Sequence, residues 1–259
     1  MIESLEYHII DACNLNCAGC SHFSPLVKDI NMVTFPKFKK DWDEVHKKGL
    51  QIKRIRVLGG EPLLNPNISI MLIYLRKLFP DSDINVVTNG IVLDIVKPNL
   101  LPIFISNNIS LTISRYPNLD IDYQKVLQGF PKIEMYDKAG FTNISLHKNP
   151  DYDSQLAFDY CFSSSVAHCS YLKDGRIYPC PIMPNLPIFC EYFKEDLNDT
   201  NLWAAAHQSQ GISISDHSIE EIEEYLRTPQ SICSFCNSLK AREVGPWKPT
   251  ERKINEWME

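Results

Sequence analysis

No apolar run in the 259-residue sequence is long enough to cross a bilayer; the most hydrophobic stretch, ISIMLIYLRKLF at residues 68–79, meets charge at Arg76. The N-terminal segment MIESLEYHII has no basic region ahead of an apolar one, so no secretory signal is read there. An unbroken basic patch is missing too. Lys39, Lys40, Lys47, Lys48, Lys53, Arg54 and Arg56 are interleaved with Asp41, Asp43 and Glu44, and the net charge is -6. That balance argues against a nucleic-acid or membrane-surface partner. Internal repeats and low-complexity segments are also absent. With 44% hydrophobic and 10% aromatic residues, the expectation is a cytoplasmic protein with a real core.

Cysteine, by contrast, occurs nine times. In a reducing compartment a disulfide framework is not expected, so the clustered thiols read as metal ligands and the scattered ones as small buried residues. Residues 11–23 read DACNLNCAGCSHF and place Cys13, Cys17 and Cys20 within eight positions, with no fourth cysteine beside them. Zinc asks for four tetrahedral donors, so this trio would need another ligand such as His22. An iron–sulfur cube takes one thiolate per iron, and its fourth iron can bind something else.

Five segments carry the β-branched and aromatic residues of strands: LEYHII, KRIRVLG, INVVTNG, ISLTISR and IEMYD. Helical patterns lie between most of them. Thr34 is a candidate N-cap ahead of Phe38, Trp42 and Val45, with Gly49 as the stop. Ile68, Met71, Leu72, Leu75 and Phe79 form a second stripe that Pro80 ends, and Asp120 opens a third helix through Tyr123, Val126 and Leu127. This alternation, from residue 5 to about 150, predicts βα units around a parallel sheet, closed as a barrel or left open. In ISLTISR, Ile109, Leu111 and Ile113 alternate with Ser110, Thr112 and Ser114, as if one face met helices and the other lined a lumen. IEMYD repeats the pattern with Glu134 and Tyr136, which an exposed edge strand would also show.

After residue 150 the texture changes to cysteines, prolines and short apolar runs, which divides the chain into domains 1–150 and 151–259. HCSYLKDGRIYPCP carries an Asp174-Gly175 turn signal. Counting outward pairs Lys173 with Arg176 and finally Cys169 with Cys180. Ser218 and Glu221 form a capping box for a helix through Ile222, Tyr225 and Leu226, ended by Pro229 just before SICSFC.

CxxxCxxC on the loop after the first strand resembles the signature of the radical S-adenosylmethionine (SAM) enzymes. VLGGEPLLNP sets Gly59, Gly60 and Glu61 at the second strand end, like that family's GGE motif. VVTNG and SRYP set Asn89, Gly90, Ser114 and Arg115 at the third and fourth, and C-terminal strand ends are where parallel βα folds build sites. The resemblance implies a partial (β/α)6 TIM-like barrel in which Cys13, Cys17 and Cys20 hold a [4Fe-4S] cluster. Gly59, Gly60 and Glu61 would hold the methionine ammonium of SAM, and Asn89, Ser114 and Arg115 would contact its ribose and carboxylate. Glycine suits a backbone that must approach a ligand closely. Reductive cleavage of SAM to a 5′-deoxyadenosyl radical, which takes hydrogen from a bound substrate, is the implied chemistry. The sequence departs from the family at Gly19, where an aromatic residue is frequent, which transfers adenine packing to Phe23.

The later cysteines resemble the SPASM and Twitch auxiliary-cluster domains. Cys161 to Cys180, with Gly175 between, fits their CX9-15GX4C opening, and Cys233-Ser-Phe-Cys236 fits the later CX2C. A Twitch-like domain with one additional [4Fe-4S] cluster is implied. Cys161, Cys169, Cys180, Cys233 and Cys236 compete for its places; spacing favours Cys161, hairpin geometry Cys169. A zinc ribbon could use the same residues. Cys190, in PIFCEYF, reads as buried packing, with hydrogen-atom donation to a substrate radical as the rival role. His8, His46 and His168 read as structural histidines, and Trp203, Trp247 and Trp257 as packing anchors. The expected function is oxidation or epimerisation of a small polar molecule such as a sugar, nucleotide-sugar or aminocyclitol, with electrons from a flavodoxin or ferredoxin. Peptide modification and a non-catalytic zinc scaffold are the rival functions.

Overall fold

The computed structural model describes residues 1–117, 119–138, 140–143, 145–238 and 242–259. Strands β1 (Ile2–His8), β2 (Ile52–Leu58), β3 (Asp83–Thr88), β4 (Ser110–Arg115) and β5 (Ile133–Asp137) lie side by side and parallel, as the sequence pattern requires. Helices α1 (Phe35–Lys48), α2 (Ile68–Leu78), α3 (Leu93–Ser106) and α4 (Tyr123–Leu127) make the crossovers. The arrangement is a partial TIM-like barrel. β6 (Gly140–Asn143) pairs antiparallel with β10 (Arg242–Pro246), while β7 (Cys169–Lys173), β8 (Arg176–Tyr178) and β9 (Ile212–Ser213) extend the main sheet beyond β1. The resulting order is β5-β4-β3-β2-β1-β7-β8-β9. Helices α5 (Ser154–Asp159), α6 (Ile182–Tyr192), α7 (Lys194–Leu197), α8 (Asn201–Gln208) and α9 (Ile219–Arg227) belong to the C-terminal part.

Local chemistry explains most of these elements. α1 starts after Thr34 in extended backbone and stops at Gly49, whose φ of 80° is the left-handed conformation glycine adopts without strain. Its Phe38, Trp42 and Val45 are fully buried, with Trp42 packed among Tyr7, Phe38 and Phe79. Helix α3 was not among the helices read from the sequence, and it contains Pro98 and Pro102. Both face solvent, one turn apart, while Leu93, Leu100 and Phe104 are buried on the inner side. The carbonyls those prolines leave unbonded are on the outer face, where water can serve them.

The Asp174-Gly175 turn is present, with φ of 52° and 69°, the pair of left-handed residues that a twisted two-residue hairpin needs. Lys173, Leu172 and Tyr171 pair with Arg176, Ile177 and Tyr178. The ladder ends there, which corrects the expected facing of Cys169 and Cys180. Cys169 is instead drawn beside Ser4 by the parallel pairing of β7 with β1. Apolar residues form two cores that interleave along the chain. The larger backs the barrel strands and includes Leu172, Ile177 and Ile212 from the C-terminal half. The smaller gathers α6, α8 and Trp257 around Phe23 and Leu26 from the N-terminal half.

The inner face of the sheet is polar, as the alternation in β4 implied; β5 is the exposed sheet edge, where Ile133 and Met135 are open to solvent instead of packed under helices. Arg54 pairs with Asp83 and Glu134 at 2.8 Å each, Arg56 with Glu6 at 2.5 Å, and Thr112 donates to Asn85 at 3.0 Å. A cavity of about 640 Å³ opens along this face, lined by Ser4, Arg56, Glu134, Tyr136, Lys138 and Cys169 among others. On the outer side, truncating the fully buried Trp42 to alanine is expected to destabilise the chain by about 3–5 kcal/mol, read as a lower urea midpoint.

Candidate functional site

The cysteine loop is an outgrowth of the β1–β2 ladder. Past the strand ends the hydrogen bonds continue, from Ile9 N to Leu58 O at 2.9 Å, from Gly60 N to Ile10 O at 2.8 Å and from Glu61 N to Ala12 O at 2.9 Å. Only glycine permits this approach. A Cβ on Gly59 would lie 2.2 Å from Ile10 O, and one on Gly60 would lie 2.0 Å from Ala12 O. The close approach attributed above to a ligand is thus already made by the protein's own chain.

Glu61 is buried and its carboxylate is occupied. One oxygen accepts from Leu63 N at 3.1 Å and Thr88 Oγ1 at 2.6 Å; the other accepts from Asn89 N at 2.9 Å. Burial pushes its pKa up to about 7 against the pull of those donors. Asn89, in turn, donates its amide to Asn14 Oδ1 at 2.7 Å and reaches Cys13 Sγ at 3.8 Å. One buried carboxylate therefore ties the ends of β2 and β3 together, and Asn89 carries that anchorage to the first cysteine. Arg115 lies farther out, paired with Asp137 at 2.5 Å and stacked over the Tyr123 ring, beside Ser114 at the end of β4.

The three thiols are close enough for their charges to be felt mutually. Burial raises Cys13 to about 12 and Cys17 to about 11, and neighbouring thiolates add to both. Cys20 is raised by burial, opposed by N–H donors of Ser24, His22 and Phe23. Cys17 accepts from the indole N–H of Trp247 at 3.1 Å and from the Tyr116 hydroxyl. Neither donor was recognised from the sequence, and Trp247 had been read only as a packing anchor. Its contact spans 230 residues, and no local spacing encodes it. His22 donates to the Gly59 carbonyl and packs its ring edge-on against His8, and burial lowers its pKa to about 4. Phe23 is fully buried against Phe189, which removes it from adenine packing.

The later cysteines separate into three environments. Cys180, Cys233 and Cys236 each have thiol neighbours drawn from the set Cys161, Cys180 and Cys233; burial, then those neighbours, raises Cys180 to about 12 and Cys236 well above the thiol range. Cys180 accepts N–H bonds from Ile182 and Met183 at the start of α6. Cys169 lies elsewhere, 3.5 Å from Arg56 Nη1 and beside Glu6, facing the barrel cavity. Cys161 is a thiol neighbour of Cys180, Cys233 and Cys236, and Cys169 is not among them. Cys190 is fully buried in the smaller core, away from the lumen.

Among the described residues no three His, Cys, Asp or Glu side chains converge tightly enough to hold a single metal ion. A single zinc requires such convergence, whereas a cube spreads its thiolates over separate irons. The first trio, three thiols with no fourth cysteine beside them, has the chemistry of a cube with one open iron.

Residues 7–122 match the family model described as the radical SAM superfamily. Over that stretch, a little under half of the chain, the sequence matches a radical SAM domain. A 93-residue stretch, 36% of this chain, is 33% identical to the GTP 3′,8-cyclase of Clostridium acetobutylicum, and a 94-residue stretch is 30% identical to that of Heliobacterium modesticaldum. The matched stretches span only 29% and 28% of those enzymes. Among solved structures, BtrN in complex with AdoMet and 2-DOIA aligns with a TM-score of 0.58 at 16% identity, covering 92% of this chain and 93% of BtrN. BtrN in an open conformation aligns at 0.54. These likenesses establish a shared fold.

Two outcomes follow from the geometry. Gly60→Ala is expected to lower stability by about 2–4 kcal/mol in thermal melts, because Ala12 O must move. For Glu61, whose folded pKa of about 7 is above the ordinary glutamate value of 4.5, the native carboxyl keeps a proton that the unfolded chain releases. Stability is therefore lost as pH rises between these values, by about 3 kcal/mol at most. Glu61→Gln should flatten that slope in urea midpoints of the cluster-free chain measured between about pH 5 and pH 7.

Proposed function

We propose that this chain is a radical SAM oxidoreductase or isomerase acting on a small polar substrate, a sugar, nucleotide-sugar or aminocyclitol. Cys13, Cys17 and Cys20 would hold a [4Fe-4S] cluster, with SAM at the open iron. The single observation that carries the substrate reading is the cavity of about 640 Å³ on the inner barrel face. It is lined largely by charged and polar side chains, braced by the Arg54–Asp83, Arg54–Glu134 and Arg56–Glu6 ion pairs, and its volume suits a small molecule. Lys138 lines this cavity and is close enough to Cys17 for its charge to favour that thiolate, so the cavity and the cysteine loop adjoin. BtrN, crystallised with AdoMet and 2-DOIA, has the same fold over nearly the whole chain, and this supports the reading.

The cluster and SAM, when bound, supply the radical chemistry. The protein's part is to position. The Gly59-Gly60 docking fixes the loop, Glu61 and Asn89 hold Cys13, and the ion-paired wall presents polar groups to a hydroxylated or charged substrate while the barrel limits water. We further assign Gly59, Gly60, Glu61, Asn89, Ser114 and Arg115 to the rim where SAM binds, and Cys161, Cys180, Cys233 and Cys236 to an auxiliary [4Fe-4S] cluster in a Twitch-like domain from residue 151. Electrons would come from a flavodoxin or ferredoxin in the cytoplasm.

Anaerobic purification tests this directly. About eight irons with matching sulfide are expected per chain, and SAM plus dithionite should yield 5′-deoxyadenosine. Cys17→Ala should abolish that product, Cys236→Ala should halve the iron, and Cys169→Ala should leave the iron unchanged. A colourless, zinc-loaded protein would overturn the reading. Faster 5′-deoxyadenosine release with peptides than with sugars or cyclitols would move the substrate to the peptide class.

A further inference from the structure

The three thiols of the cysteine loop are not equivalently surrounded. Cys13 has the Leu15 N–H at 3.4 Å and the Asn89 amide at 3.8 Å. Cys20 has N–H groups of the turn that follows it and the Ser24 hydroxyl. Cys17 alone of the three receives an aromatic N–H and an aromatic O–H. The donors are Trp247, 3.1 Å away, and Tyr116, whose ring packs 5.8 Å from the indole.

These donors arrive from distant parts of the chain and are held in place. Tyr116 directly follows β4, the strand that ends at Arg115. Trp247 follows β10 and begins a strap that pairs its backbone with the loop on both sides of Cys17. Ala18 N donates to Lys248 O at 3.1 Å, Thr250 N donates to Asn16 O at 2.8 Å, and Cys17 itself bridges Pro249. Farther along, the fully buried Trp257 donates its indole N–H to Cys20 O at 2.9 Å. Packing alone would fill the space over the loop with apolar side chains. Here two polar hydrogens point at one sulfur, and the strap backbone is bonded to the loop on both sides of it.

Resting on the cluster reading above, we propose that Trp247 and Tyr116 are positioning residues that raise the reduction potential of the [4Fe-4S] cluster held by Cys13, Cys17 and Cys20. Cluster potentials depend on hydrogen bonds to the sulfurs and on solvent exposure. A donor aimed at a ligand sulfur stabilises the reduced state more than the oxidised one, because the reduced state carries the additional negative charge. Cys17 is only 5% exposed, so water does not screen the effect. The Lys138 ammonium, backbone-bonded to Arg115 at 2.7 Å, adds charge of the same sign from the third side. Through the strap, the C-terminal segment sets how readily the cluster takes its electron.

The test is an anaerobic redox titration of the iron-loaded protein, following by electron paramagnetic resonance the reduced signal that changes when SAM is added. Trp247→Phe keeps the ring against Tyr116 and removes only the N–H. At the wild-type midpoint it should lower the reduced-to-oxidised ratio about three- to ten-fold, which is roughly 30–59 mV at 59 mV per decade for one electron. Tyr116→Phe should shift it in the same direction, with iron and sulfide contents equal to wild type. Unchanged ratios in both loaded variants would overturn the proposal while leaving the cluster reading intact. Should Trp247→Phe lose iron, Tyr116→Phe alone decides. A wild-type protein free of iron and sulfide would remove the cluster reading and this proposal together.

Discussion

The structure depends on two strands that keep hydrogen-bonding after they have stopped being strands. Beyond β1 and β2 the backbone bonds from Gly60 to Ile10 and from Glu61 to Ala12 carry the cysteine loop as a continuation of the sheet, not as a free connection. Loops ordinarily owe their mobility to unpaired backbone. This one is paired on one side to the GGE segment and on the other to the strap through Lys248 and Thr250. The backbone pairing on both sides holds the three thiols in one place.

The glycines make that possible by what they lack. With Cβ positions 2.2 and 2.0 Å from carbonyl oxygens, Gly59 and Gly60 admit no other residue without displacing the loop. Glu61 then fastens the same place to the end of β3 through Thr88 and Asn89, an arrangement whose burial raises the carboxyl pKa to about 7. The barrel end, the loop and the inner polar wall are in this way one hydrogen-bonded unit. The C-terminal half is not merely attached to it: β7 extends the barrel sheet at β1, and Phe23 from the cysteine loop is buried in the smaller core with Trp257.

Much of this was legible in the chain. The strand and helix periodicities located β1 to β5, α1, α2 and α4, since a parallel βα sheet must bury one face of every element and writes that burial into the spacing of apolar residues. Helix α3 was not read from the chain; its two internal prolines sit on the exposed face, where the carbonyls they leave unbonded can meet solvent. The Asp174-Gly175 turn was readable because left-handed backbone restricts residue choice, but the length of the hairpin was not. Whether Cys169 would face Cys180 depended on a competing partner, Ser4, more than 160 residues earlier in the chain.

The sequence by itself determined the local chemistry: three thiols spaced for one loop, two glycines and a carboxylate at the next strand end, a polar face on β4, and a left-handed turn. Each follows from constraints acting within a few residues, where spacing and geometry are nearly the same thing. Only the tertiary structure decided that Cys161 neighbours Cys180, Cys233 and Cys236, that Cys169 looks into the barrel, and that Trp247 and Tyr116 converge on Cys17. Those choices are made between segments up to 230 residues apart, and they rest on which strand edges and buried faces find each other first in energy, a quantity no short stretch of the chain contains.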